Sequence, residues 1–217
     1  MNHIIKKINK LNEEKYILQI LNKTYNIYLQ HGSRSSKKVD YFHSKISNYL
    51  YEILPKEKNY DIKVELNVPS SNSTHKKKCD IVITKNEKPY IIFPIKIVMS
   101  NYKQNRNNYW ENLTGEITHI KWSNENINII PINIFMSKIP YLKSNREIKK
   151  FESITIEDIN NYNKLIEHKL CYDVINYIVE IDHINKIGDI FDKIPIITKF
   201  NDNTKYRKFE SILGNLL

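Results

Sequence analysis

The sequence predicts an α/β fold in which helices flank a central mixed β-sheet. Three observations carry that expectation. Residues 39–54 set Val39, Phe42, Ile46, Tyr49, Leu50 and Ile53 at helical spacing and stop before Pro55. The period then falls to two, with Ile62, Val64, Leu66 and Val68 alternating with Lys63, Glu65 and Asn67. Two apolar runs, 90–99 and 128–136, bracket a helix expected at 106–121, an order that builds a layered sheet.

The elements follow in order. Ile4, Ile8, Leu11, Ile17, Ile20, Leu21, Tyr25 and Tyr28 keep a helical rhythm, so one or two helices are expected over 3–30. Residues 31–38, with Gly32, three serines and a cluster of basic side chains, form a loop. The strand at 62–68 leads into a polar loop at 69–78. Next come a strand opened by Asp80 and continued by Ile81, Val82 and Ile83, a turn at 85–88, and the long strand 90–99. Residues 101–105 form a turn before the helix. Residues 155–217 read as mainly helical, with 178–181 open to a strand instead. A chain of 217 residues suits one domain: a helical region at 1–38, a core at 39–136 and a mostly helical elaboration at 137–217.

Lys+Arg total 34 against 24 Asp+Glu, a net charge of +10. The chain has no alanine and only 4 glycines, with Ile, Asn, Lys and Tyr in excess. Those four residues have AT-rich codons, so bulk charge alone does not point to nucleic acid. No apolar stretch is long enough to span a membrane, and the first residues lack an apolar leader core, so a cytoplasmic, intracellular protein is expected. Cys79 and Cys171 have no zinc-ligand spacing, and neither do His43, His119, His168 and His183. The glycine-rich phosphate loops and the GxSxG and HExxH motifs are absent.

Two charges stand where a core should be apolar. Lys96 interrupts the run at 90–99, and Asp80 opens Ile81, Val82 and Ile83 on the preceding strand. Lysine is almost never fully buried unless paired or used. A short turn at 85–88 lets the two meet at one end of the sheet. A carboxylate and a lysine placed together suit metal-dependent phosphodiester cleavage: the acid holds a divalent ion, and the amine positions water and neutralises the phosphate.

On these residues the segment 65–121 resembles the PD-(D/E)xK nuclease superfamily, which includes type II restriction endonucleases. Asp80 matches the family aspartate and Lys96 the family lysine, while residues 100–116, rich in Asn, look like the helix entry of restriction-type members. The resemblance implies a restriction-endonuclease-like central mixed sheet, Mg as cofactor, double-stranded DNA as substrate and a homodimer. The sequence departs from the pattern at Pro94, where an acid is expected. In one branch that acid has migrated to the following helix, where this chain carries Glu111 and Glu116. Spacing favours Glu111 and helix phase favours Glu116, because Tyr109, Leu113, Ile117 and Ile120 define the buried face that Glu116 borders. The expected site is therefore Asp80, Lys96, Glu116, Glu111 and Glu65, with Asp80, Glu116 and Glu111 as metal ligands. Glu65 faces the polar side of its strand and supports them; Glu52 is a weaker candidate. Arg34, Lys37 and Lys38 in one loop, Lys76, Lys77 and Lys78 in another, and Asn105 and Asn108 on the helix are the expected DNA contacts. The alternatives are an inactive DNA-binding protein of the same fold, to which Pro94 points, and a repair or RNA-processing nuclease.

Overall fold

The computed structural model describes residues 12–217; Ile4, Ile8 and Leu11 of the expected first helix lie outside them. Helix α1 (Glu13–His31) is capped by Asn12, whose side chain accepts the Glu14 amide, and ends at Gly32, which takes a φ of 80°. Helix α2 (Lys37–Ile53) buries Phe42, His43, Ile46, Tyr49 and Leu50. The strands that follow are β1 (Tyr60–Pro69), β2 (Lys76–Lys85), β3 (Lys88–Phe93) and β4 (Ile95–Val98). After helix α3 (Tyr102–Ser123) come β5 (Asn128–Ile129), β6 (Ile132–Met136) and the ribbon β7 (Lys138–Leu142) with β8 (Ile148–Ser153). Short helices α4 (Ile156–Ile159) and α5 (Lys164–Glu167) precede β9 (Ile175–Asp182), β10 (Ile196–Phe200) and α6 (Phe209–Leu213). The result is an α/β fold with mixed sheets flanked by helices.

Two four-stranded sheets, β1-β2-β3-β5 and β10-β9-β6-β4, share one register. Strands β1, β2 and β3 are antiparallel, whereas β3 and β5, β4 and β6, and β6 and β9 run parallel. Ile91 and Ile92 face Asn128 and Ile129, then Ile95 and Lys96 face Ile132 and Asn133, so Pro94 falls opposite Pro131. Across that point the Ile130 amide donates to Ile92 O (2.9 Å) and the Ile132 amide to Pro94 O (2.8 Å). The two sheets are one continuous layer in the order β1-β2-β3/β4-β5/β6-β9-β10. Each apolar run expected as a single strand is thus broken by a proline, which has no N–H for the ladder.

Two further expectations are corrected. Residues 138–200 hold four strands, so the C-terminal part is not mostly helical. Strand β9 lies inside the layer with five of its eight residues buried, and the apolar stretch Tyr177 to Val179 is too short to show a period that separates it from a helix. Strand β7 contains Pro140, which argues against a central strand but is tolerated in a two-stranded ribbon. Helix α3 begins at Tyr102, so most of the expected 101–105 turn is its first turn.

Asparagine does structural work at exposed backbone. The Asn22 side chain on α1 donates to Ile197 O and accepts from Ile197 N, both at 2.9 Å. Asn101 does the same for Leu142, at 3.1 and 3.0 Å. The N- and C-terminal parts meet at Glu13, a buried carboxylate on α1 that accepts from the Tyr49 hydroxyl (2.5 Å), the Tyr206 hydroxyl and the Phe209 amide (3.0 Å). No helix of the described residues is long and apolar enough to cross a membrane.

Candidate functional site

Asp80 stands at the centre of the site because of the strand junction beside it. Strand β2 pairs with β3 as far as Ile81 and Phe93, so Asp80 faces Pro94, where pairing stops. Its Oδ2 instead accepts the amide of Ile95 at 2.7 Å, the residue before Lys96. The carboxylate thereby takes over where the backbone ladder lapses, and it is tied to the strand that carries Lys96. Pro94, read in the sequence as a missing acid, is the residue that opens this junction.

On one side of Asp80 lies a group of potential ligands. One atom each from His43, Glu65 and Asp80 lies within 4.8 Å of the others. Glu65 stands opposite Asp80, bracketed by the pairs Val64–Ile81 and Leu66–Cys79. Its φ of 57° is left-handed, which costs a non-glycine residue roughly 1–2 kcal/mol. It does not simply face the polar side of its strand: Oε1 lies 3.5 Å from His43 Nδ1, and Oε2 pairs with Lys78 Nζ at 2.6 Å. His43 is 2% exposed, and neither ring nitrogen has a hydrogen-bond partner among the described residues. Burying unpartnered polar groups costs about 1–3 kcal/mol each, and a neutral imidazole is a metal ligand. The donors are therefore of the right kind for a divalent ion.

On the other side is a cleft of about 420 Å³ lined by Ser70, Asn72, Lys77, Lys96, Glu111, Asn112, Gly115, Glu116 and His119. Lys77 and Lys78 are consecutive on a strand and point to opposite faces, so α3 and α2 approach β2 from opposite sides. Lys77 Nζ lies 3.2 Å from Glu116 Oε2. Ser71 pins the β1–β2 loop to the end of α3, its amide donating to His119 O (3.0 Å) and its hydroxyl meeting His119 Nδ1 (2.8 Å). Burial raises the Glu116 pKa above the ordinary carboxylate value; Lys77 opposes the shift, Asp80 adds to it and Lys96 opposes it. Asp80, Lys96 and Glu116 therefore lie within electrostatic reach of one another. Glu111 is exposed at the cleft wall, and Glu116 is half-buried. Burial, with Glu116 and Asp80, pushes the neighbouring Cys79 thiol up to about 12, so it is not a thiolate at neutral pH.

A raised carboxylate pKa means that the folded state holds the proton more tightly than the unfolded chain. Glu116 therefore weakens the fold progressively as pH rises through the interval above the ordinary Glu value. Glu116→Gln removes that dependence. The melting temperature of the variant relative to the parent should rise between about pH 4 and pH 7. A pH-independent difference in thermal melts would contradict the buried-carboxylate account.

The expected DNA-contact residues fall into distinct settings. Arg34, Lys37 and Lys76 make no ion pair among the described residues. Lys38 turns back to donate to Ser33 O and Ser35 O, both at 2.7 Å, and shapes its own loop. Lys77 and Lys78 are engaged with Glu116 and Glu65. Asn105 lines a separate cleft of about 430 Å³ with Tyr28, Ser100, Tyr109 and Arg146, and its side chain donates to Asn101 O. Asn108 is exposed on α3, and Glu52 is half-buried on α2. The residue that sequence reasoning passed over is His43. Its signal was position: with Ile46 and Leu50 it lies at i, i+3 and i+7, inside the apolar stripe of α2. Comparison with protein-family models, with curated proteins and with solved structures returns no match.

Proposed function

We propose that the chain is a divalent-metal-dependent endonuclease that hydrolyses phosphodiester bonds of double-stranded DNA, in the manner of a site-specific restriction enzyme. The observation that carries the reading is Asp80, fastened by the Ile95 amide beside Lys96, with ligand-type side chains on one side and, on the other, a polar cleft lined by Lys77, Lys96, Glu111 and Glu116. Asp80, Glu65 and His43 are the residues that would hold a cation. The chemistry a divalent cation supplies there is polarisation of a phosphoryl oxygen and a lowered pKa for bound water. Lys96 places an ammonium where charge develops on the phosphate. Glu116, with its proton affinity raised by burial, is placed to accept a proton from the attacking water. Arg34, Lys37 and Lys76 supply phosphate contacts that position the duplex without reading its sequence. A homodimer follows by analogy with enzymes that cut both strands of a symmetric site.

The test is incubation of purified protein with mixed-sequence duplex DNA and Mg²⁺ or Mn²⁺. Discrete products are expected, lost on chelation, and slowed about 10²–10³-fold in Lys96→Ala, the range for removing one charge-stabilising donor. Salt-sensitive duplex binding with no nicking in either metal would sink the enzymatic reading in favour of a binding protein. Cleavage confined to RNA or single strands would change the substrate class.

A further inference from the structure

We infer that His43, Glu65 and Asp80 form a site for a first-row transition-metal dication, selected over magnesium. The inference deepens the proposed function by naming the ion at Asp80, and in that respect it rests on that reading. The acidic pair alone would not define a site. The independent observation is His43, 2% exposed and with neither ring nitrogen hydrogen-bonded among the described residues, Nδ1 having only the 3.5 Å approach of Glu65 Oε1. A buried imidazole whose ring nitrogens make no hydrogen bond, placed with two carboxylates so that one atom of each lies within 4.8 Å of the others, is a donor set of the kind that ligates a dication.

The identity of the ion follows from the donors. Magnesium demands oxygen ligands in near-ideal octahedral geometry and gives up water reluctantly. An imidazole donor favours first-row transition ions over magnesium, with affinity rising from Mn²⁺ through Fe²⁺ and Co²⁺, so Mn²⁺ is the most stringent probe of the site. The surroundings fit a dication as well. Lys78 Nζ holds Glu65 Oε2, and the Ile95 amide holds Asp80 Oδ2, so each carboxylate is anchored through one oxygen and keeps the other to present. Partners of that kind orient ligands, and losing even such an outer contact costs 10–100-fold in metal affinity. Glu111 and Glu116, expected as ligands, lie outside this group.

Electron paramagnetic resonance of Mn²⁺ titrated into the metal-stripped protein, without DNA, tests the inference. The free Mn²⁺ signal should fall to an end point of about one ion per chain, and about tenfold excess Mg²⁺ should leave it bound. His43→Ala should weaken binding at least about 10-fold, and Glu65→Gln, at a partly exposed side chain expected to keep the fold, should do likewise. Thermal melts of both variants separate lost ligands from lost structure. No binding, binding unchanged in folded variants, or displacement by equimolar Mg²⁺ would each overturn it. Tight Mn²⁺ binding without DNA cleavage would retain the site and remove the nuclease reading; cleavage with Mg²⁺ and no Mn²⁺ binding would do the reverse.

Discussion

Asp80→Asn is expected to abolish metal-dependent cleavage while leaving the fold in place. The amide oxygen of asparagine still accepts the Ile95 N–H that Asp80 Oδ2 holds at 2.7 Å, so the junction between β2 and β4 keeps its bond. What disappears is the negative charge next to Glu65 and His43. Metal-assisted stabilisation of the transition state is worth several kcal/mol, and at 1.36 kcal/mol per decade the rate should fall about 10³-fold or more. Single-turnover cleavage with saturating Mn²⁺, read beside a circular-dichroism melt, measures both effects. Lys96→Ala should lose rate and keep the metal, whereas Asp80→Asn should lose both. Equal metal binding in the two variants would move the ion away from Asp80.

Glu13→Ala should lower stability by about 3 kcal/mol. Three buried donors, the Tyr49 and Tyr206 hydroxyls and the Phe209 amide, converge on this carboxylate. Each loses its acceptor in the variant, at about 1–3 kcal/mol per orphaned group, and readmitted water offsets part of the sum. For a chain of this size that corresponds to a melting temperature lower by about 6–12 °C. The carboxylate joins α1, α2 and the segment leading into α6, so the loss should appear as one cooperative transition. Glu13→Gln, which retains an acceptor, should recover part of it. A shift below about 2 °C in Glu13→Ala would show that the tyrosines find other partners.

Much of the core was legible because its elements carry clean periods. The stripe of α2, the alternation of β1 and the two apolar runs each surface in the structure near their expected ends. Asp80 and Lys96 were legible as charges in the wrong place, and the short β2–β3 turn does bring them to one junction. Glu116 was separated from Glu111 by helix phase, and the half-buried setting of one and exposure of the other follow from it. What stayed hidden depends on tertiary context. Pro94 and Pro131 look unrelated until the register sets them opposite each other. His43 reads as one more residue of an apolar stripe until β1 and β2 bring Glu65 and Asp80 up to it. The C-terminal strands were misread because the apolar stretch at 177–179 is too short to show a period, and only pairing with β6 marks β9 as a strand.

The clamp of Asn22 on Ile197 has a consequence for the chain in a crowd of its own copies. Strand β10 ends the layer, and Ile194 and Ile196 beside it are exposed. An open apolar edge of that kind recruits a strand from a neighbouring molecule and seeds aggregates. Both backbone groups of Ile197 are already spoken for by one side-chain amide, so the edge offers an incoming strand no foothold at its centre. One of the chain's many asparagines thus closes the part of this isoleucine-bearing edge around Ile197 to backbone pairing.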